Sequence, residues 1–170
     1  VLPIGKKALD FFRQHEAETL TDGYAVAGEV SVGDCFSAAK LLCRRFLTGE
    51  FTGVQLIYTH FASMLSQLPC EMELLPIRVS GQKDSSPKKF VLYESGPIAV
   101  FDAIVPEYLG GLLYGALCES TASEQAARRT AMDSATKNAD EIIDDLNLRY
   151  NRARQGAITQ EITEIVAGAE

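Results

Sequence analysis

Residues 123–170 read SEQAARRTAMDSATKNADEIIDDLNLRYNRARQGAITQEITEIVAGAE. This stretch contains no proline, is rich in alanine and charged residues, and has only one glycine, Gly156, in its interior. Such a composition predicts one continuous helix roughly 70 Å long at about 1.5 Å per residue, whereas an average helix has about 11–12 residues. A chain of 170 residues has no obvious core large enough to cover this helix. We therefore expect the helix to pack on something other than the rest of this chain.

Small and apolar residues recur along one side of the predicted helix. Their successive spacings of four, three, four, four, three and four residues are typical of a coiled-coil seam with one stutter. An isolated seam of this length is unstable in water unless it is paired. The alternative, a long surface helix lying on its own domain, stays open at this point. The seam residues are Ala135, Ala139, Ile142, Leu146, Tyr150, Ala153 and Ala157.

Charged residues are arranged in bands along the same helix. An acidic stretch from residue 140 to 145 is followed by Arg149, Arg152 and Arg154, which point in about three different directions at 100° per residue. An ordinary solvated face with an Asp145–Arg149 pair would explain these charges. A shaft that presents positive charge on several sides would explain them equally. Beyond this arginine collar, a second apolar stripe is rotated from the first and consists of Ile158, Ile162, Ile165, Val166 and Ala169.

The first hundred residues predict an α/β domain with a partly parallel sheet, because helical and strand patterns alternate. Helices are expected at residues 6–15 and from a cap at Asp34 onwards, and a short helix at 98–108 is expected to break near Pro106. Strands are expected at 24–32, 54–61, 72–77 and 90–94, with a solvated loop at 81–88. The predicted domains are residues 1–106 and residues 107–170.

Composition excludes several classes of function. The net charge of −7 argues against nucleic-acid binding, and no uninterrupted apolar run reaches about 18 residues, so no transmembrane segment is expected. The four cysteines are expected to be reduced and mostly buried, and their spacing predicts no metal site. No cofactor motif is present, so no cofactor is expected. Because the chain begins at Val1, we expect that the native N-terminus, with any targeting signal, lies upstream.

Two segments of the helix carry a family resemblance. SEQAARRTAMDSATKNA (residues 123–139) and YNRARQGAITQEITEIVAGAE (residues 150–170) resemble the gamma subunits of F-type ATP synthases, and the last thirteen residues follow the C-terminal signature of that family. The α/β part fits more loosely, through LIY at 56–58 and the run at 119–124. The N-terminal helix and first strand of the family have no counterpart in this sequence, which implies a truncated chain.

The resemblance implies a non-catalytic role in a rotary machine. A C-terminal and an N-terminal helix would form an antiparallel coiled coil, the rotor shaft, inside a ring of three alpha and three beta subunits. A Rossmann-like foot domain would contact the epsilon subunit (delta in mitochondria) and the membrane c-ring. Proton or sodium flow would turn the shaft and so drive ATP synthesis at the beta subunits. The complex would lie on the catalytic-sector side of an energy-transducing membrane, facing the bacterial cytoplasm or the mitochondrial matrix.

The resemblance also implies which residues of this chain contact the beta subunit. Arg154, Gln155 and Thr159 match family positions that touch the catch loop of beta, and Glu161 and Glu164 belong to the same zone. A second set, Arg149 and Arg152, would face the acidic lever segment of beta. Exposed ion pairs of this kind contribute about 1 kcal/mol or less each, which suits a rotor because tight contacts would hold it at one angle.

Two other functions remain open from the residues alone. An independent enzyme is disfavoured because the nucleotide-binding and hydrolase motifs are missing. His60 follows a strand pattern, with Cys35 and Ser63 as nucleophile candidates by type only, but we expect both His60 and His15 to be surface or hydrogen-bonded histidines. The other alternative is a coiled-coil scaffold or adaptor with a small-molecule-binding α/β domain.

Overall fold

The computed structural model describes residues 1–78, 93–94 and 96–169. Its elements are α1 (Lys6–Gln14), a 3₁₀ turn (Ala27–Glu29), α2 (Val32–Leu47), β1 (Val54–Ser63), β2 (Ser66–Leu75) and α3 (Pro97–Ala167). The chain divides into two units, Val1–Gln125 and Ala126–Glu170. The expectation of an α/β domain with a very long C-terminal helix is confirmed, and that helix has 71 residues.

Strands β1 and β2 form an antiparallel hairpin, in which Tyr58 pairs with Cys70. Only Met64 and Leu65 connect them, and so short a connection can join strands only in antiparallel fashion. The partly parallel arrangement expected from the sequence is not found among the described residues, whose sheet has these two strands. The strand predicted at 72–77 is confirmed as β2, which starts earlier and ends before Pro76. The loop at 81–88 and most of the strand at 90–94 lie outside the described residues.

The prediction of a strand at residues 24–32 is wrong. A 3₁₀ turn occupies Ala27–Glu29, and α2 already begins at Val32 because Ser31 and Asp34 form a capping box. The Ser31 hydroxyl accepts from the Asp34 N–H at 3.2 Å, and the Asp34 carboxylate accepts from the Ser31 N–H at 2.8 Å. The N-cap residue of α2 is therefore Ser31, whereas the sequence predicted Asp34. Hydrogen bonds from the hydroxyl and backbone of Ser31 lower the pKa of the Asp34 carboxyl.

The core of the first unit lies where α2, the end of β2 and the first part of α3 meet. Its buried residues are Cys35, Ala38, Ala39, Leu42, Leu74, Leu75, Leu109 and Leu113. The expected break near Pro106 is wrong, because α3 continues through that proline. A proline inside a helix costs about 3 kcal/mol, and burial of Leu109 and Leu113, at about 1.5–3 kcal/mol each, offsets that cost.

The apolar residues of α3 include a window of membrane-spanning length. An 18-residue window of this helix has a mean hydropathy of 1.3, and 17% of it is buried. By this measure the expectation that no such segment exists does not hold. A single window of this kind is weak evidence for a membrane span, and the same helix contributes Leu109 and Leu113 to the core.

Candidate partner-binding helix

The second unit is a helix in which Ala126, its first residue, is the one buried position among the described residues. Every residue from 127 to 169 is exposed. The helix is nevertheless rich in large apolar side chains, which normally need cover. These exposed residues are Met132, Ile142, Ile143, Leu146, Leu148, Tyr150, Ile158, Ile162, Ile165 and Val166.

The predicted seam falls on one face of this helix. At 100° per residue, its seven residues lie within about 40° of Leu146 on either side. Ile142, Leu146 and Tyr150 are 60%, 58% and 65% exposed, so nothing in the described chain covers the centre of the seam. Ile143, about 60° from Leu146, widens this apolar face and was missed because it breaks the strict spacing. Leu148, by contrast, lies on the opposite face.

The arginine collar is exposed as well. Arg149 forms the predicted ion pair with Asp145, with Nε 2.9 Å from Oδ2. Arg152 and Arg154 make no ion pair with any described residue, so their guanidinium groups are available to carboxylates of another chain.

Polar residues beyond the collar bond mainly within the helix. The Thr159 hydroxyl donates to the carbonyl oxygen of Gln155 at 2.8 Å, and the Gln160 amide donates to Glu164 at 2.9 Å. Glu161 is exposed. The structure thus places all seven predicted contact residues on the exposed surface of one helix.

The two candidate nucleophiles, Cys35 and Ser63, lie in the core and in the hairpin turn. Burial raises the pKa of the Cys35 thiol, with smaller effects from Asp34 and Cys118, and a raised pKa is the opposite of what an activated nucleophile needs. Ser63 accepts a hydrogen bond from the N–H of Ser66 at 3.1 Å and so shapes the hairpin turn. The cavity beside Cys35 has a volume of about 10 Å³, room for a single water molecule.

The cysteines and histidines follow the sequence predictions in part. Cys35, Cys43, Cys70 and Cys118 are all free thiols, as expected. Only Cys35 is fully buried and Cys118 is exposed, so the expectation of mostly buried thiols is wrong. His15 is exposed and contacts the carbonyl oxygen of Phe11 at 2.8 Å. Among the residues that the structure describes, no group of three His, Cys, Asp or Glu side chains could hold a metal ion.

The structure also brings together residues that are distant in the sequence. His60 of β1 is hydrogen-bonded, as expected, and its partner is Glu119 of α3, with Nδ1 2.5 Å from Oε2. Ser120 and Ser123 contact the same strand. The sequence offered one signal for this cluster, the family-like run at 119–124, but no local pattern connects that run to a strand about sixty residues earlier.

Comparison with known proteins places these features in one family. A family model described as ATP synthase matches residues 1–170. The ATP synthase gamma chain of Ruminococcus albus is 46% identical over 97% of this chain and 57% of its own length. That of Heliobacterium modesticaldum is 42% identical over 98% of this chain and 60% of its own length. The chain therefore spans somewhat more than half the length of these relatives.

A solved structure supports the fold. The cryo-EM structure of the central stalk and c-ring of the mitochondrial ATP synthase of Tetrahymena thermophila matches with a TM-score of 0.58. The match covers 80% of this chain and 60% of that chain at 21% identity, so it bears on the fold alone. Together, the match of the family model over the whole chain and the identities of 46% and 42% show that the chain belongs to the family of ATP synthase gamma chains.

Proposed function

We propose that this chain is the part of a gamma subunit that carries the C-terminal half of the rotor shaft, with residues 1–106 as the foot domain and 107–170 as the shaft. It takes no part in bond making. It couples ion-driven rotation of a membrane c-ring to ATP synthesis or hydrolysis at the beta subunits. The observation that carries the proposal is the exposed seam around Leu146. Leu146 is 58% exposed, and every residue of the helix from 127 to 169 is exposed.

The partners follow from the family and from the chemistry of the helix. The seam fits an N-terminal helix of the same subunit, since alanines at Ala135, Ala139, Ala153 and Ala157 permit close approach of a second helix. The collar fits acidic segments of the beta subunit, because Arg152 and Arg154 are unpaired within the described chain. The alpha subunits complete the ring around the shaft. The foot domain would contact the epsilon subunit and the c-ring on the catalytic-sector side of the membrane.

The collar is tested first. In the assembled complex, Arg154→Ala and Gln155→Ala are each expected to lower the rate of ATP synthesis driven by an imposed proton gradient by about two- to fivefold, the size of one exposed polar contact. Assembly and ATP hydrolysis should persist, because neither side chain is buried in the chain. Lys137→Ala, which removes an exposed cation outside the contact zone, is the matched control. An unchanged synthesis rate in the Arg154→Ala complex would count against the assignment.

The register of the seam is tested separately. Leu146→Asp places a carboxylate at the centre of the helix pair and is expected to destabilise the full-length subunit by about 1–2 kcal/mol, seen as a lower melting temperature and poorer assembly. Leu148→Asp introduces the same charge about 160° away around the helix and should have little effect. Equal melting temperatures for the two variants would show that the register is wrong.

A further inference from the structure

The outer edge of strand β1 is closed by side chains of α3. An edge strand presents backbone N–H and C=O groups that need partners. Here the Thr59 N–H donates to Ser120 Oγ at 3.1 Å, and the Ser123 hydroxyl makes a long contact of 3.5 Å to the Thr59 carbonyl oxygen. Ser123 is only 3% exposed, so its hydroxyl lies inside this junction.

A carboxylate completes the same junction. The Phe61 N–H donates to Glu119 Oε2 at 3.3 Å, and the same oxygen lies 2.5 Å from Nδ1 of His60. An ionised carboxylate can only accept hydrogen bonds, so His60 donates through Nδ1. Hydrogen bonds to a charged acceptor are stronger than those between neutral groups, which makes Glu119 the main group of the junction.

The pattern of these contacts fixes the register between helix and strand. Three α3 residues within about one helical turn (Glu119, Ser120 and Ser123) engage three consecutive residues of β1. Sliding the helix along the strand by one residue would break every one of these bonds, since successive strand residues differ in the direction of their backbone groups. The hydrophobic effect alone has no such preference, because it is non-directional.

We propose that Glu119, Ser120 and Ser123, here called the edge bracket, are positioning residues for rotary coupling. The bracket holds β1 on α3 in one register, so that force applied to the hairpin reaches the helix without slippage. This inference rests on the rotor function proposed above. As positioning residues they act through the geometry of the subunit.

The bracket itself is tested by amide hydrogen exchange on the full-length subunit. Glu119→Ala is expected to accelerate exchange of the Phe61 amide by roughly tenfold to a hundredfold, the factor that corresponds to loss of a hydrogen bond to a charged acceptor. Glu119→Gln keeps an acceptor oxygen and should retain most of the protection. Asp102→Ala, which removes an exposed carboxylate from the same helix, should leave this amide unchanged.

The coupling role is tested in the assembled complex reconstituted into vesicles. Glu119→Ala is expected to lower the number of protons pumped per ATP hydrolysed while the hydrolysis rate is kept, and Glu119→Gln should restore most of the ratio. A role in stability alone would reduce the amount of assembled complex and leave this ratio unchanged. Faster Phe61 exchange with an unchanged ratio overturns the inference.

Two further outcomes are decisive. If Glu119→Ala does not assemble, the double variant Ser120→Ala with Ser123→Ala, which removes only two hydroxyls, must lower the same ratio; a normal ratio there overturns the inference. If the wild-type subunit itself fails to support proton pumping with its partner subunits, the proposed rotor function fails. The exchange measurement on the bracket would still stand in that case, so the two failures are distinguishable.

Discussion

Replacing Leu109 with alanine is expected to lower the free energy of unfolding by about 2–5 kcal/mol. Leu109 is only 1% exposed and belongs to the core formed by α2, β2 and α3. Removing its branched side chain leaves a cavity in the middle of that core, and close-packed surroundings relax only partly to fill it. Urea unfolding of the full-length subunit, followed by circular dichroism, would measure the loss.

The matched control for this variant is Leu148→Ala. It removes the same atoms from the same helix, but Leu148 is 50% exposed. A surface change of this kind is expected to shift stability by no more than about 0.5 kcal/mol. A loss below about 1 kcal/mol for Leu109→Ala, or equal losses for both variants, would contradict the described core.

A second large effect is expected at Gly110, where α3 packs closely against Phe36 of α2. A Cβ atom added there would lie 2.1 Å from Cδ1 and 3.1 Å from Cα of Phe36. The ring could rotate away, but the Phe36 backbone can move only if the helices separate. Gly110→Ala is therefore expected to destabilise the subunit by about 2–3 kcal/mol, despite the better helix propensity of alanine, which is worth about 1 kcal/mol.

The neighbouring glycine offers a control of opposite sign. A Cβ atom at Gly111 would meet nothing within 4 Å. Gly111→Ala should therefore raise the melting temperature, because the gain in helix propensity of up to about 1 kcal/mol is not opposed by a clash. If both variants were stabilised alike, the close approach of Phe36 to α3 would be wrong.

Local sequence patterns predicted the helices and the hairpin strands well. Helix α1, the strand at 54–61 and the long helix through residue 167 are present as expected. The errors arose where one local signal was overruled by another local signal or by tertiary packing. Tyr24 to Val32 has the composition of a strand, but the capping box at Ser31 starts a helix at Val32. Pro106 suggested a helix break, but the core contacts of Leu109 and Leu113 keep α3 continuous.

The functional residues also divide into those that local patterns predicted and those that only the fold brings together. The seam and the arginine collar were readable because their residues lie on one helix, where spacing in sequence fixes direction in space. The contacts of the edge bracket join residues 58 to 64 positions apart, and no periodicity links such residues.

The amino-acid sequence by itself determined the long helix, the exposed apolar face around Leu146 and the family, because each depends on residues that are close together in the chain. Only the tertiary structure decided that Gly110 leaves room for the Phe36 side chain and that Glu119 accepts a hydrogen bond from the edge of β1. The physical reason is that helix periodicity is a local property, whereas close packing and strand-edge hydrogen bonds depend on which distant segments the folded core brings together.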